Sequence, residues 1–447
     1  MKKLSFQTIL LVIFGFFIAF GVAVFAGYIN IGNSKKNAAP SGKVVIWGTI
    51  NAQLMNQFIA GAGVSNQTIS VTYVEKSQET YELDLISAFA SGIGPDIFIV
   101  TPDIYWKQRD KMFETPYANY PVETYMATYM DVSKTYLTPT GILAFPLFID
   151  PLVGYWNKDL FASAGFAKAP QEWKEFPEIA QKISLVSNDF LISRSAVALG
   201  EYVNVRHAKD ILTLLFMQAG DPIMHADAKG RLILDFGQQS GSSSQIPAAV
   251  ALDFYSQFAN PTKTGVYSWN KLFSSDIEEF LAGNLAYYFG LGSELASIRQ
   301  SNPNLNFDMT FVPQPNKNGA KTTVGVLYGI AISKQTKDLN LSYYVVGDMI
   351  SPVKNAALLA GMQEYGLTVS PMRRDMIPND PTNIYATTLY QSALVAKAWT
   401  DPNPPLTNTA WEGMVSDVQS GKSNTLDAVA TARDLISAYL ETTQVFE

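Results

Sequence analysis

The chain has 447 residues, of which 47% are hydrophobic and 16% are charged, a composition typical of globular proteins and far from that of disordered ones. This length is too great for one compact core, so we expect two lobes. The formal charge is −7, and because the first forty-two residues hold four lysines and no acid, the rest of the chain carries −11. An acidic body argues against nucleic acid as a partner, since phosphates require a basic surface.

Cysteine is absent, and histidine occurs only as His207 and His225. The absence of cysteine excludes disulfides, thiolate metal sites, a cysteine nucleophile and the lipid-attachment cysteine of bacterial exported lipoproteins. No pair of histidines has metal-ligand spacing, so we expect no metal site and no cofactor, and we predict both histidines at the surface or in loops. The Gly-x-Ser-x-Gly pattern is also missing, which leaves nucleophilic catalysis without a motif.

The N-terminus carries a strong targeting signal. Lys2 and Lys3 precede a nearly uninterrupted apolar run over residues 9–29, which reaches the roughly 20 residues that a membrane-spanning helix needs. The lysine pair places the N-terminus in the cytoplasm and the domain outside. We therefore predict a single-pass anchor in the cell membrane over residues 1–29 and a flexible linker over residues 30–42. A cleaved signal peptide is the alternative, although its apolar region is usually only about 7–15 residues long.

Strands and helices alternate through the first part of the globular region. Apolar or alternating runs predict strands over residues 44–47, 69–74 and 96–100, with helices over residues 53–62 and 80–90 between them. Strands that alternate with helices require crossover connections. The pattern therefore predicts an α/β lobe with a mainly parallel sheet.

The rest of the chain is richer in predicted helix. Short strands are predicted over residues 143–146, 153–156 and 232–234, and an apolar run covers residues 285–289. Helical patterns occur, in chain order, over residues 173–183, 208–219, 246–258, 276–282, 342–350, 355–361, 384–398, 410–420 and 425–442.

The segment Ala90-Ser-Gly-Ile-Gly-Pro-Asp-Ile97 ends a predicted helix and enters a strand. Its glycines suit a helix C-cap and its proline stops the helix. It resembles the "ASG…GPD" signature of the carbohydrate-binding family of bacterial extracellular solute-binding proteins. Four further segments resemble signatures of the same family in the same order along the chain: residues 155–173, 280–286, 311–315 and 421–428. The chain is identified as a member of this family on these five segments.

The resemblance implies a fold of class α/β, the two-lobed periplasmic-binding-protein-like fold with hinge-connected lobes, preceded here by one transmembrane helix. It places residues 43–145 and 284–315 in lobe 1 and residues 146–283 and 316–447 in lobe 2. The implied function is not enzymatic: the protein is the solute-binding component of an ABC importer and presents a carbohydrate to the membrane permease subunits. We expect a monomer that binds a mono- or oligosaccharide.

Candidate ligand-binding residues lie near strand ends, where open α/β sheets bind ligands. Trp47 ends the first predicted strand, and Ser77 follows the second. By resemblance, Asp103 and Asp150 correspond to ligand-binding carboxylates of the maltose-binding member of the family, and Ser293 replaces one of its ligand aromatics. Sugar hydroxyls need polar partners and sugar rings pack on aromatic faces, which adds five candidates: Glu201, Asn204, Trp269, Tyr328 and Trp411.

Two departures from the family pattern affect the expected substrate. Val100 and Ile104 stand where the maltose-binding member has a ligand tryptophan and arginine, so its substrate is not implied for this chain. Two alternative functions remain open. Asp103 and Asp150 could act as the paired carboxylates of a secreted glycoside hydrolase, or the same fold could bind a non-sugar solute such as a peptide or a polyamine.

Overall fold

The computed structural model of the chain describes residues 41–227, 230–239, 245–378 and 382–444. The predicted membrane segment, residues 1–29, lies outside these ranges, as does nearly all of the predicted linker. Among the described residues, no helix combines the length and the apolar composition that crossing a bilayer requires.

The strands within the described residues are short, with two exceptions that matter for the site. In chain order they are β1 (Gly42–Gly48), β2 (Ile69–Glu75), β3 (Ile97–Val100), β4 (Thr115–Pro116), β5 (Gly141–Ile142), β6 (Phe145–Asn157), β7 (Leu185–Val186), β8 (Ile192–Val197), β9 (Met224–Ala226), β10 (Leu232–Leu234), β11 (Leu285–Leu291), β12 (Phe307–Thr310), β13 (Thr323–Ile332), β14 (Ser370–Pro371) and β15 (Ala396–Lys397). The exceptions are β6, with 13 residues, and β13, with 10.

The helices surround these strands, and several begin at polar side chains that accept hydrogen bonds from the first helical N–H groups. In chain order they are α1 (Ala52–Gly61), α2 (Tyr81–Ala90), α3 (Pro102–Gln108), α4 (Val122–Thr128), α5 (Lys158–Ser163), α6 (Phe176–Ile183), α7 (Ala208–Ala219), α8 (Pro247–Ser256), α9 (Asp276–Leu281), α10 (Leu295–Ser301), α11 (Leu339–Met349), α12 (Pro352–Glu364), α13 (Ile384–Val395), α14 (Pro404–Gln419) and α15 (Thr425–Gln444). Asn51, Asn157 and Ser351 are examples of such caps.

The first part of the main sheet has the strand order β2-β1-β3-β13-β6, with β14 paired to β6. β1 is parallel to both β2 and β3, as the alternation of strands and helices predicted. Val44 and Ile46 of β1 are buried, which agrees with one face of the strand facing a core. Because β1, β2 and β3 run in the same direction, their carboxyl ends meet at one edge of the sheet.

The second part of the sheet continues from β6 through β11 and β8 to β7, with β12 also paired to β6. β11 is antiparallel to β6 and parallel to β8. β6 therefore belongs to both parts of the sheet, because it pairs with β13 and β14 at its start and with β11 and β12 at its end.

Two hydrophobic clusters form the interior, and we call them the first and second cores. β6 and β13 each run from one core to the other: Ile149 and Leu327 pack in the first core, whereas Leu152 and Val324 pack in the second. Where the two strands pass from one core to the other, their backbones are close. A Cβ atom on Gly325 of β13 would lie only 2.8 Å from the backbone oxygen of Asp150 of β6. We call β6 and β13 the hinge strands.

The two cores correct the predicted lobe boundaries. Residues 284–315 were predicted in lobe 1, but β11, α10 and β12 contribute their buried side chains to the second core. Much of the segment from Leu327 to Ala396, which was predicted in lobe 2, packs in the first core. The cause is that β11 inserts between β6 and β8, a pairing between distant parts of the chain that local sequence patterns do not specify.

Candidate functional site

A cavity lies beside the hinge strands, at the edge where β1 and β2 end. Its volume is about 140 Å³, and we call it the inner cavity. Phe148 and Asp150 reach it from β6, Tyr328 reaches it from β13, and Ser293 reaches it from the 3₁₀ turn after β11. The other lining residues follow β1 and β2 or belong to α12 and the segment after it: Thr49, Ile50, Asn51, Gln78, Met362, Leu367 and Val369.

Asp150 is the acidic group of this cavity, and only 6% of its surface is exposed. Its Oδ1 accepts the backbone N–H of Ser293 at 3.0 Å. Burial raises the pKa of the Asp150 carboxyl to about 7, since the hydrogen bond from Ser293 offsets only part of the desolvation. Near neutral pH this carboxyl therefore exists in both forms, as an acceptor for hydroxyl groups and as a donor.

Phe148 and Tyr328 form an aromatic wall of the inner cavity. Their rings are stacked, with centroids 4.6 Å apart and an angle of 21° between the planes. Burial raises the pKa of the Tyr328 hydroxyl, and the charges of Asp150 and Asp103 raise it further, so Tyr328 remains a neutral phenol. Because Phe148 is nearly fully buried, the exposed part of this wall is the ring of Tyr328, together with its hydroxyl, which can donate and accept.

The rim of the cavity carries amide groups. The side-chain oxygen of Asn51 accepts the N–H groups of Gln53 and Leu54 and so caps α1, which leaves the amide nitrogen of Asn51 outside the cap. Gln78 lies in the turn that follows β2 and is exposed. The inner cavity thus combines a carboxyl, a phenol and two amides with an aromatic wall, which is a set suited to a ligand with several hydroxyl groups.

A buried charge network supports the turn that carries Ser293. Glu294 accepts a hydrogen bond from the Tyr288 hydroxyl at 2.7 Å and lies 3.0 Å from Nε2 of His207. The other ring nitrogen of His207 lies 3.0 Å from Asp210. Burial alone would lower the pKa of His207, but the hydrogen bonds to Asp210 and Glu294 raise it to about 10. His207 is therefore an imidazolium that donates from both nitrogens.

The two histidines meet the prediction of a surface or loop position in different ways. His207 lies in the turn that precedes α7, but it is only 8% exposed. Hydrogen bonds to Asp210 and Glu294 stabilise its charge inside the protein. His225 is more than half exposed, in agreement with the prediction, and contacts Asp235.

Residues 53–342 match the family model described as bacterial extracellular solute-binding protein. The matched segment is more than half of the chain and includes both hinge strands. The chain belongs to this family. The predicted family, the two-lobed α/β fold and the solute-binding function are thereby confirmed.

Solved structures of solute-binding proteins share this fold. A cyclo/maltodextrin-binding protein in complex with maltotetraose has a TM-score of 0.71 at 15% identity, over 91% of this chain and 100% of that one. The sugar-binding protein MalE from Xanthomonas citri has a TM-score of 0.70 at 17% identity, over 91% and 99%. The cyclic α-maltosyl-1,6-maltose binding protein from Arthrobacter globiformis has a TM-score of 0.71 at 16% identity, over 90% and 100%.

The family and these structural neighbours are binding proteins rather than enzymes. Membership in an extracellular family also places the described domain outside the cytoplasm.

The positions of the ten predicted site residues fall into three groups: those in the inner cavity, those near it and those elsewhere. Three of them, Asp150, Ser293 and Tyr328, lie together in the inner cavity of this solute-binding protein. Asp103 lies at the start of α3, accepts the Thr101 hydroxyl, and is close enough to Tyr328 for its charge to raise the pKa of that hydroxyl.

Trp47 and Ser77 lie near the inner cavity but do not line it. Trp47 is half-buried at the end of β1, with Nζ of Lys76 3.9 Å from its ring centroid. Ser77 is exposed, and its hydroxyl accepts the N–H of Glu79. The neighbour of Ser77, Gln78, lines the cavity instead.

Four predicted residues lie elsewhere, in the second core or at a different cavity. Trp269 is fully buried, stacks on Phe273 at 4.3 Å, and donates its indole N–H to Asn204. Asn204 also donates to the backbone oxygens of Asn270 and Phe273, so both residues hold a loop together. The expectation that Trp269 stacks on a sugar was therefore wrong, because the second core covers it.

Trp411 is also fully buried, and it packs against Trp399 with ring centroids 5.5 Å apart. Its predicted role in stacking on a ligand was wrong for the same reason. Glu201 lies in a separate cavity of about 330 Å³, together with Lys271 and Glu412. Burial raises the pKa of the Glu201 carboxyl, and Lys271 opposes that shift.

Several lining residues were not among the predicted site residues. Phe148, Leu367 and Val369 have the composition of core residues in the sequence, and no local pattern separates them from the core. Asn51 had a usable signal, since an asparagine directly after a strand and before a helix is typical of both a cap and a strand-end site.

Proposed function

We propose that this solute-binding protein binds a carbohydrate in the inner cavity and delivers it to the membrane permease of an ABC importer. The observation that supports this best is that Asp150, Ser293 and Tyr328, from three different segments, line one cavity beside the hinge strands. The ligands of the structural neighbours, such as maltotetraose, agree with this proposal.

The chemistry of the cavity suits a sugar. Each hydroxyl that leaves water needs a partner, and an unpaired one costs about 1–3 kcal/mol. Asp150 accepts, the amide nitrogen of Asn51 donates, and the amide of Gln78 can both donate and accept. The half-buried ring of Tyr328, which has Phe148 stacked on one face, offers a flat apolar surface for the C–H face of a pyranose.

The position of the cavity gives a mechanism for coupling binding to closure. Asp150 lies on a hinge strand, and Ser293 lies on a turn next to the second core. A solute that contacts groups of both cores stabilises the arrangement in which the cores are close together. The permease then recognises this closed form.

We further propose that residues 9–29 are retained as a membrane helix and tether the domain outside the cell. The sequence has no cysteine for a lipid anchor, and its apolar run is longer than that of a typical signal peptide. A tethered monomer moves in two dimensions near its permease, which raises its effective concentration. N-terminal sequencing of the protein from membranes tests this, and a mature N-terminus after residue 26 contradicts it.

The binding function is tested by thermal-shift measurements and calorimetry of the full chain with saccharides, peptides and polyamines. A saccharide at 100 times its Kd should stabilise the fold by about 2.7 kcal/mol. Asp150→Asn should weaken the binding of that saccharide. Asp434→Asn, at an exposed position on α15, serves as the matched control and should leave the affinity unchanged. Binding of a peptide or polyamine alone contradicts the carbohydrate assignment, and turnover of an oligosaccharide contradicts the binding function.

A further inference from the structure

The turn that carries Ser293 is closely enclosed by other parts of the chain. It begins at Gly292, directly after β11. On one side, the hydroxyl of Tyr155 on β6 donates to the backbone oxygen of Leu291 at 2.8 Å. On the other side, a Cβ atom on Gly292 would lie only 3.0 Å from the backbone oxygen of Thr368, whose neighbours in the chain pack against the first core. The turn therefore lies between a hinge strand and a segment of the first core.

Glu294 ties the same turn to the second core. Its Oε2 accepts the hydroxyl of Tyr288 at 2.7 Å, and its Oε1 lies 3.0 Å from Nε2 of His207. Nδ1 of His207 lies 3.0 Å from the carboxylate of Asp210 on α7. Only 11% of the Glu294 side chain is exposed. Both of its carboxylate oxygens are thus held by groups of the second core, and this fixes the end of the turn.

The fixed turn determines the direction of a hydrogen bond in the inner cavity. The N–H of Ser293 donates to Oδ1 of Asp150 at 3.0 Å. Because Ser293 directly precedes Glu294, a displacement of Glu294 moves this N–H as well. Hydrogen bonds weaken steeply when the donor turns away from the acceptor. The orientation of the Asp150 carboxyl therefore depends on side chains that do not line the cavity.

The charges of the network also act on Asp150. The negative charge of Glu294 raises the pKa of Asp150, and the positive charge of His207 lowers it. Arg206 also faces Glu294, with Nε 3.4 Å from Oε1, but more than half of its side chain is exposed, so water screens its charge. The buried acid Asp276 faces the same imidazolium, whose charge lowers the pKa of Asp276. Loss of the His207 charge would leave Asp150 beside an uncompensated Glu294.

The other titratable groups near Asp150 are phenols and one acid. Tyr155 lies on the same hinge strand and Tyr328 on the other, and burial raises the pKa of both hydroxyls, so both remain neutral. The charge of Asp103 acts on Tyr328 from the side of the first core. His207 is therefore the cation whose loss bears most directly on Asp150.

We propose that Glu294, held by Tyr288 and His207, is a positioning residue for solute binding. It acts through the turn: it directs the N–H of Ser293 at Asp150 and so sets the direction in which that carboxyl meets a hydroxyl group of the solute. This role rests on the proposed carbohydrate-binding function. It gives an ion pair outside the inner cavity an effect on affinity as well as on stability.

Two neighbouring tyrosines of β11 provide the test. Tyr288→Phe removes the hydroxyl that donates to Glu294 and leaves the ring in place. Tyr287→Phe is the matched control, because it removes a buried hydroxyl that has no hydrogen-bond partner among the described residues. Kd is measured by calorimetry on the full chain for the tightest binder among maltotetraose, mannotriose and tagatose. We expect Tyr288→Phe to weaken binding by about fivefold or more and Tyr287→Phe to stay within about twofold.

A second variant separates the charge of the network from its packing. His207→Gln can still donate a hydrogen bond to Glu294, but it carries no charge. The protonated form of Asp150 is then favoured, so the decrease of Kd with rising pH should occur at higher pH than in the unsubstituted protein. A purely structural role of His207 would leave the position of this decrease unchanged.

Thermal unfolding of each variant identifies a temperature at which it is folded. Tyr288→Phe opens almost no cavity, so its comparison with Tyr287→Phe decides the question even if His207→Gln does not fold. Equal affinities of the two tyrosine variants, or a pH profile that His207→Gln leaves in place, would overturn the positioning role while the carbohydrate-binding function stands. Binding of none of the three saccharides to the unsubstituted protein would contradict the proposed function, and the positioning role would fall with it.

Discussion

Asp150 and Ser293 are joined by a hydrogen bond where the hinge strands pass from one core to the other, although the two residues are 143 residues apart in the chain. The carboxyl of Asp150 belongs to β6, and the N–H of Ser293 belongs to the turn after β11. The bond holds one oxygen of a buried acid in a fixed direction. It thereby links the path of a hinge strand to the position of a turn beside the second core.

The protonation of Asp150 should make solute affinity depend on pH. A solute hydroxyl that donates to Asp150 binds the ionised form, whose population increases as the pH rises through about 7. We expect calorimetry to show a Kd that decreases between about pH 6 and pH 8. Asp150→Asn should remove this dependence, because the amide does not titrate and its oxygen still accepts the Ser293 N–H. The same pH profile in both proteins would contradict the assignment to Asp150.

The same group should affect stability. Its pKa is higher in the folded protein than the usual value of 3.8, so the folded state binds more protons than the unfolded state between about pH 4 and pH 7. Stability therefore decreases as the pH rises across this window. Burial also raises the pKa values of Asp221 and Asp276 to about 6, which adds to the effect. Urea denaturation at several pH values should show a smaller decrease for Asp150→Asn than for the unsubstituted protein.

His207 and His225 form a matched pair for testing the buried charge network. His207→Ala leaves Glu294 buried without its imidazolium partner and should lower the free energy of unfolding by about 3–5 kcal/mol. His225→Ala removes an exposed pair with Asp235 and should change it by less than about 1 kcal/mol. Urea denaturation measures both. Equal effects of the two substitutions would show that the network does not stabilise the fold.

The network also predicts a loss of stability at alkaline pH. The pKa of His207 is raised from 6.5 to about 10, so its contribution is fully present below about pH 6.5 and disappears as the pH rises through 10. The difference in unfolding free energy between the unsubstituted protein and His207→Ala should therefore shrink between about pH 8 and pH 10. A constant difference over this range would indicate that His207 is neutral.

Trp411 should matter for stability and not for solute binding. Trp411→Ala opens a cavity among the aromatic rings of the second core and should cost about 3–5 kcal/mol in urea denaturation. Leu272→Ala, at a side chain that is 77% exposed, is the control and should change stability by about 0.5 kcal/mol or less. At a temperature where the variant is folded, its Kd for the solute should stay within about twofold. A selective loss of binding would restore Trp411 to the site.

Much of the fold was predictable because its signals are local. The strands and helices from β1 to β3 follow the alternation of apolar residues, and the structure has them close to their predicted positions. The two short strands predicted over residues 143–146 and 153–156 are parts of one strand, β6. Pro146 lies within β6 where its pairing with β13 shifts register, and such irregularities accommodate proline.

The parts that could not be predicted depend on contacts between distant segments. β13 contains Gly325 and Gly329, which weaken a strand pattern, yet it is the second hinge strand. The placement of β11 next to β6 decides the lobe boundaries, and nothing local specifies it. In the inner cavity, Asp150 and Ser293 had been nominated by the family resemblance, and Tyr328 had been nominated because aromatic rings suit sugar stacking. Trp269 and Trp411 were misassigned because composition does not separate a buried tryptophan from an exposed one.

A crystal structure of the protein with a bound saccharide tests the central claim most directly. We predict electron density for a sugar ring in the inner cavity, with a hydroxyl group within hydrogen-bond distance of Asp150 and the sugar ring against the ring of Tyr328. Density for the saccharide at another place, with the inner cavity filled by water alone, would contradict the account.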